Sequence, residues 1–270
     1  MRVRSIVEYV GTRWSGWQWQ AGPPTVQGEI ERALAIVLRG PCRVAAAGRT
    51  DAGVHSTGQV IAFDVPEGTP LRRLRRSVNA LTDPSIALVT VEPAYEGFDP
   101  RRHALSRKYE YLVVNVRPPS PFLLDRSWHF PRPLDVEVLN RLAAMLPGER
   151  DFAAFRAADC TSNSTRRCIT EARWEREGDF LRFHVRANAF LKQMVRTLVG
   201  SMVDVAIGRL PEETFAALLA GQAGDRALAG RTAPAAGLTL VHVEYPDAVE
   251  GACSEAGQGL AADADADDSE

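Results

Sequence analysis

Gly48-Arg49-Thr50-Asp51-Ala52-Gly53-Val54-His55-Ser56 is the stretch on which the reading of this chain turns. It lies between two segments, residues 42–47 and 59–65, that have the composition of strands. Two glycines around an aspartate let the backbone turn tightly and approach a ligand closely. Ala52 and Ser56 keep bulk away, so Asp51 can be presented on the rim of a sheet. Taken by itself, an aspartate in a glycine-rich turn is more often a turn former or a cap than a catalyst.

Outward from the loop, the pattern predicts two α/β halves. Residues 3–10 read as a strand, and Thr25 caps a helix whose apolar positions Val26, Ile30, Ala33, Leu34 and Val37 recur at helical spacing until Gly40-Pro41. Residues 71–81 repeat Leu-Arg-Arg before the Asp83-Pro84 break, and strands follow at 86–91 and 108–116. The second half repeats the mixture: a helix at 135–146, strands near 169–176 and 180–186, a long helix from Phe190, another at 212–219 and a last strand at 238–245. Mostly antiparallel strands are expected, with the halves, 1–117 and 118–246, joined near Pro118-Pro119-Ser120-Pro121.

Of the 270 residues, 45% are hydrophobic and 24% charged, which is ordinary globular usage and excludes fibrous and wholly disordered classes. The most apolar run, residues 190–207, is broken by Lys192, Arg196 and Asp204, so no membrane span is expected. The first residues lack the pattern of a secretory signal, four irregularly spaced cysteines do not make a disulfide framework, and a cytoplasmic protein is the expectation. The net charge of -2 hides an asymmetry, because residues 247–270 carry eight acids and no base. Without them, 32 basic residues face 26 acids, a net +6 that makes a polyanionic partner reasonable. The acidic tail is poor in large apolar side chains and is expected to be disordered. No CxxC or HxxxH spacing exists, so no metal site is expected.

The octet from Gly48 to His55 closely resembles the signature of the tRNA pseudouridine synthase A family. Further motifs stand in that family's order: Gly16-Trp17-Gln18 with Val26-Gln27, Arg107-Lys108-Tyr109, Asp151-Phe152 through Phe155-Arg156, Asn188-Ala189-Phe190 with Met194-Val195-Arg196, and Ala233-Pro234-Ala235-Ala236-Gly237-Leu238. Together they cover residues 3–246. The resemblance implies an α/β (α+β) pseudouridine synthase fold, two similar halves whose sheets meet at a central basic cleft. It also implies a homodimer formed through the C-terminal half, and an enzyme that, with no cofactor, isomerises uridine to pseudouridine at positions 38, 39 and 40 of the tRNA anticodon arm. By the same resemblance Asp51 is the catalytic carboxylate, Arg196 pairs with it and keeps it ionised, Tyr109 stacks on the uracil, and Arg49 fills the place that the base vacates. Arg107 and Lys108 are candidate contacts to the substrate.

The chemistry fits a single carboxylate. Moving the ribose C1' from N1 to C5 of uracil requires an anionic partner in the interval. Uracil leaves as a delocalised anion and needs less acid assistance than the alkoxide of a glycoside, for which two carboxyls are usual. Asp64 and Glu110 remain as candidate second acids. Asp51 could attack C1', attack the base, or take the C2' proton, and the sequence leaves all three open. Residue by residue, bland readings compete: Tyr109 as a core aromatic, Arg196 as a guanidinium snorkelling out of an apolar helix, and His55 as a buttress of the turn. Four basic clusters are each more often a solvated face than a phosphate site: Arg72, Arg73, Arg75 and Arg76; Arg101, Arg102 and His103; Arg107 and Lys108; and Arg166 and Arg167. Two other functions stand beside the main one, a pseudouridine synthase for another RNA and a non-catalytic module that binds or folds tRNA.

Overall fold

The computed structural model describes residues 1–222 and 226–246, and the acidic stretch 247–270 lies outside the described residues. The chain divides into two compact units. The first comprises residues 1–52, 56–105 and 242–246, and the second residues 53–55 and 106–241.

In the first unit, β1 (Arg2–Tyr9) buries Val3, Ser5, Val7 and Tyr9 and exposes Ile6 and Glu8, the period of two that a half-buried strand dictates. It pairs antiparallel with β3 (His55–Asp64), from Tyr9 opposite Ser56 to Arg2 opposite Asp64, and on its other edge with β4 (Ile86–Leu88) and β5 (Glu92–Pro93). β2 (Ala45–Ala46) adds to β3. Helix α1 (Val26–Leu38) begins where the Thr25 hydroxyl accepts the Gly28 N–H at 3.2 Å. It ends where Arg39 turns left-handed at φ 56 and the Gly40 N–H returns to the Ala35 carbonyl. α2 (Leu71–Leu81) lays Leu74 and Val78 on the same core. Val3, Val7, Ile30, Leu34, Ile61, Phe63 and Val78 are buried in that core, each worth about 1.5–3 kcal/mol relative to exposure.

Two strand expectations shrink here for a visible reason. Of residues 42–47 only Ala45 and Ala46 pair, because side chains of α1 occupy the backbone of Val44: Glu31 accepts its N–H at 3.0 Å and the Gln27 amide donates to its carbonyl at 3.3 Å. The strand expected over 86–91 stops at Leu88, whose N–H and carbonyl are both bonded by the Asn79 amide.

In the second unit, β6 (Ser106–Val114), β10 (Phe180–Ala187), β9 (Arg166–Glu177) and β8 (Gly148–Asp151) run antiparallel in that order, and β7 (Trp128–His129) joins β6 in parallel. Three helices, α3 (Val136–Ala143), α4 (Met194–Ala206) and α5 (Glu212–Leu219), complete it. The Asn140 amide stitches α3 to β9 by bonding both the carbonyl and the N–H of Trp174, at 2.9 and 2.7 Å. The helix expected from Phe190 begins only at Met194, because Gln193 takes φ 61, which a right-handed helix does not accommodate. The last strand, β11 (Leu238–Glu244), passes from the second unit to the first between residues 241 and 242. No described helix is long and apolar enough to cross a membrane.

Candidate active site

The loop before β3 is fixed within the first unit by contacts to three segments. The Gln59 amide donates to the Gly48 carbonyl at 2.8 Å, and the Trp17 N–H donates to the Thr50 carbonyl at 3.1 Å. The hydroxyls of Thr50 and Tyr9 share a hydrogen bond of 2.8 Å. Burial pushes the Tyr9 phenol up to about 12, against hydrogen bonds from Thr50, Gln59 and Ser56, so this anchor stays neutral. Beneath the loop lies Gly16 at φ 90, where a Cβ would come within 2.8 Å of the Thr50 carbonyl oxygen and 3.2 Å of the Ala52 nitrogen. Residues 50–52 therefore rest on a backbone that only glycine can bring so close. Asp51 is half-buried on this pinned segment, and Arg49 beside it is exposed.

Of the two glycines that bracket Asp51 in sequence, only Gly53 uses its freedom, at φ 79. Gly48 is not left-handed and has nothing within 4 Å of a built Cβ. The glycine that matters most, Gly16, is more than thirty residues away in sequence. Its signal was the Gly16-Trp17-Gln18 motif rather than the loop itself.

The second unit carries Tyr109, Arg107, Lys108 and Arg196. Tyr109 faces inward from β6, 8% exposed, with its ring edge-on to Phe190 at 5.1 Å between centroids. Arg107 reaches the Asn188 carbonyl at 2.9 Å, and Lys108 is half-buried opposite Arg186 of β10. Arg196 is half-buried on α4, and its Nε donates to the Ala233 carbonyl at 2.8 Å while the Ala233 N–H returns to the Arg196 carbonyl at 3.0 Å.

The same stripe of α4 continues the grip one and two turns later. At Gly200 a Cβ would stand 1.8 Å from the Arg231 carbonyl oxygen, and Asp204 accepts Arg231 through both its backbone N–H, at 3.0 Å, and its guanidinium. Arg196, Gly200 and Asp204 thus hold residues 230–233 against the helix. The following Gly237 packs on the ring of Tyr111, whose hydroxyl donates to the Pro234 carbonyl at 2.8 Å. Gly200, Asp204 and Arg231 escaped the sequence reading, although the spacing of 196, 200 and 204 was its signal.

The other candidate acids are elsewhere. Asp64 stands at the far end of β3, exposed and paired with Arg2 at 3.0 Å. Strand alternation puts Glu110 on the face opposite Tyr109, where it meets Arg182 at 3.1 Å and His184 at 3.2 Å. His55 is buried, with Nε2 bonded to the Ala236 carbonyl at 3.0 Å. Burial, reinforced by the charge of Arg126, lowers its pKa despite hydrogen bonds to Ala236 and Asp125. Among the described residues no group of three His, Cys, Asp or Glu side chains is arranged to hold a metal ion.

A family model described as tRNA pseudouridine synthase matches residues 142–246. Three curated relatives, each named tRNA pseudouridine synthase A, align over nearly the whole chain. That of Myxococcus xanthus is 43% identical over 247 residues, covering 91% of this chain and 92% of the relative. That of Pectobacterium atrosepticum is 42% identical over 246 residues, covering 91% and 86%. That of Neorickettsia sennetsu is 39% identical over 247 residues, covering 91% and 100%.

Proposed function

The chain belongs to the tRNA pseudouridine synthase A family and is an isomerase of uridine in tRNA, and from that premise we propose that Asp51 is its catalytic carboxylate and that positions 38, 39 and 40 of the anticodon arm are its targets. The observation that supports the role of Asp51 is the pinning of residues 50–52 on Gly16, Trp17 and Tyr9. A carboxylate on a preset backbone meets the substrate without first paying to order its own loop.

The chemistry balances with the residues of this chain. The bond from C1' to N1 breaks with its electron pair left on N1, and the uracil anion turns over. C5 then bonds to C1', the C5 proton passes to solvent, and N1 takes up a proton. No electrons change hands with another molecule, so the sum is an isomerisation. Whether the carboxylate attacks C1', attacks the base or takes the C2' proton, it must be ionised to act. We assign Tyr109 to stacking on the uracil, a contact worth about 1–3 kcal/mol. Arg196 is assigned as the cation that keeps the carboxylate ionised, Arg49 as the residue that occupies the place of the displaced base, and Arg107 and Lys108 as contacts to the tRNA. A cytoplasmic homodimer, with its interface in the C-terminal half, completes the proposal.

Carbodiimide mapping of pseudouridine in tRNA from a strain lacking this protein tests the targets. Loss of pseudouridine at 38, 39 and 40, restored by the intact chain, is expected; unchanged anticodon arms would refute the assignment.

A further inference from the structure

We infer that the exposed face of α2 is a docking surface for the phosphate backbone of tRNA, formed by Arg72, Arg73 and Arg76. The inference rests on the tRNA substrate argued above and adds where else on the first unit that substrate is held.

α2 buries Leu74 and Val78. At about 100° per residue, Arg72, Arg73 and Arg76 fall within one stripe roughly 100° wide on the opposite side. All three are exposed, and among the described residues none of their side chains has a hydrogen bond or an ion pair. Arg75, at the edge of the stripe, donates to the Val89 carbonyl at 2.6 Å. Five other arginines of the same unit are matched to acids: Arg2 to Asp64, Arg4 to Glu92, Arg32 to Glu29, Arg43 to Glu31 and Arg102 to Asp99.

The arrangement works against the helix that carries it. α2 contains no acid, so like charges three and four residues apart repel without relief. Arg72 and Arg73 stand in its first turn, where the helix dipole disfavours cations, and Pro70 supplies no side-chain cap. Both penalties reverse when a row of phosphates lies along the stripe, and guanidinium groups match phosphate oxygens in pairs. A polyanionic ligand therefore accounts for a charge pattern that folding alone does not.

The stripe also stands away from the reacting nucleotide. Arg75 bonds to Val89, whose N–H bonds to Ile6, and Ile6 pairs with Val60. Val60 is four residues along β3 from Ser56, which is roughly 13 Å at the rise of a strand, and Arg72 lies a turn further along α2. The phosphates it meets belong to the tRNA beyond the target nucleotide, so the contact governs affinity rather than the chemical step.

The test is the triple variant Arg72→Gln, Arg73→Gln and Arg76→Gln in the full chain, with a triple Arg→Lys variant that keeps the charges. Filter binding of an unmodified tRNA transcript, titrated over salt, is read beside tritium release from 5-tritiated uridine. The expected result for the Gln variant is a Kd and KM raised at least tenfold at low salt, a plot of log affinity against log salt shallower by about two units, and kcat within twofold of wild type. The Lys variant should keep the wild-type slope. Because all three side chains are exposed, the thermal midpoint of the Gln variant should hold or rise. A Gln variant whose Kd and salt slope match those of wild type would overturn the inference. Absence of tritium release from the wild-type chain would instead refute the isomerase reading, and the binding curves would still decide the docking surface.

Discussion

At the residue scale, what distinguishes Asp51 from any acid in a turn is the backbone on which it rides. Gly16 lets the Thr50 carbonyl approach to a distance that leaves no room for a Cβ, the Trp17 N–H donates to that carbonyl, and Tyr9 and Gln59 fix the flanks of the loop. Gly16→Ala should therefore cost about 1–3 kcal/mol through strain at φ 90 and the forced movement of residues 50–52. Turnover should fall at least tenfold, while tRNA affinity stays within twofold of wild type. Gly48→Ala, inside the motif but in open space, should leave both melting temperature and turnover near wild type. Thermal melts and tritium release on the two variants check this contrast, and equal effects would show that the loop is not preset by Gly16. The octet around Asp51 was legible in the sequence. The support under it was not, because a close approach of two backbones leaves only a glycine behind, and a glycine does not say what it touches.

At the scale of elements, helices were easier to read than short strands. The capping hydroxyl of Thr25 and the period of Val26, Ile30, Ala33 and Leu34 are local signals, and α1 follows them. The truncation of the strand at 42–47 depends on Glu31 and Gln27 reaching across from α1, which no local pattern records. The delayed start of α4 likewise depends on one left-handed residue, Gln193. α4 acts as a clamp through Arg196, Gly200 and Asp204, which hold residues 230–233. Gly200→Ala places a methyl 1.8 Å from the Arg231 carbonyl oxygen, so either the helix or residues 230–233 must move. A loss of about 1–3 kcal/mol or more is expected, read as a lowered midpoint in chemical denaturation together with reduced turnover as Arg196 shifts. Gly40→Ala, with nothing within 4 Å, should be neutral. A Gly200→Ala variant as stable and active as wild type would show that this contact yields without consequence.

For the whole molecule, buried groups set how stability follows pH. Burial holds His55 below the ordinary histidine value of 6.5, so the unfolded chain binds its proton more readily than the folded one. This contribution is present in full above that ordinary value and is lost as pH falls through 6.5 toward the lowered value. The thermal midpoint should be flat near neutrality and decline as the solution is acidified through the histidine range, and His55→Gln should flatten that part of the decline. An identical decline in the variant would remove His55 as its source. The mixed α/β character, the antiparallel pairing and the helix at 212–219 were legible from periodicity, whereas the chain's division into units, with residues 242–246 returning to the first, arises from contacts distant in sequence. The central claim is that one carboxylate does chemistry rather than binding, and Asp51→Asn tests it most directly. The variant keeps the size of the side chain and removes its charge. Tritium release from 5-tritiated uridine in tRNA should fall by orders of magnitude while filter binding shows tRNA affinity equal to or tighter than wild type. A variant that binds tRNA and turns it over within tenfold of wild type would contradict the account.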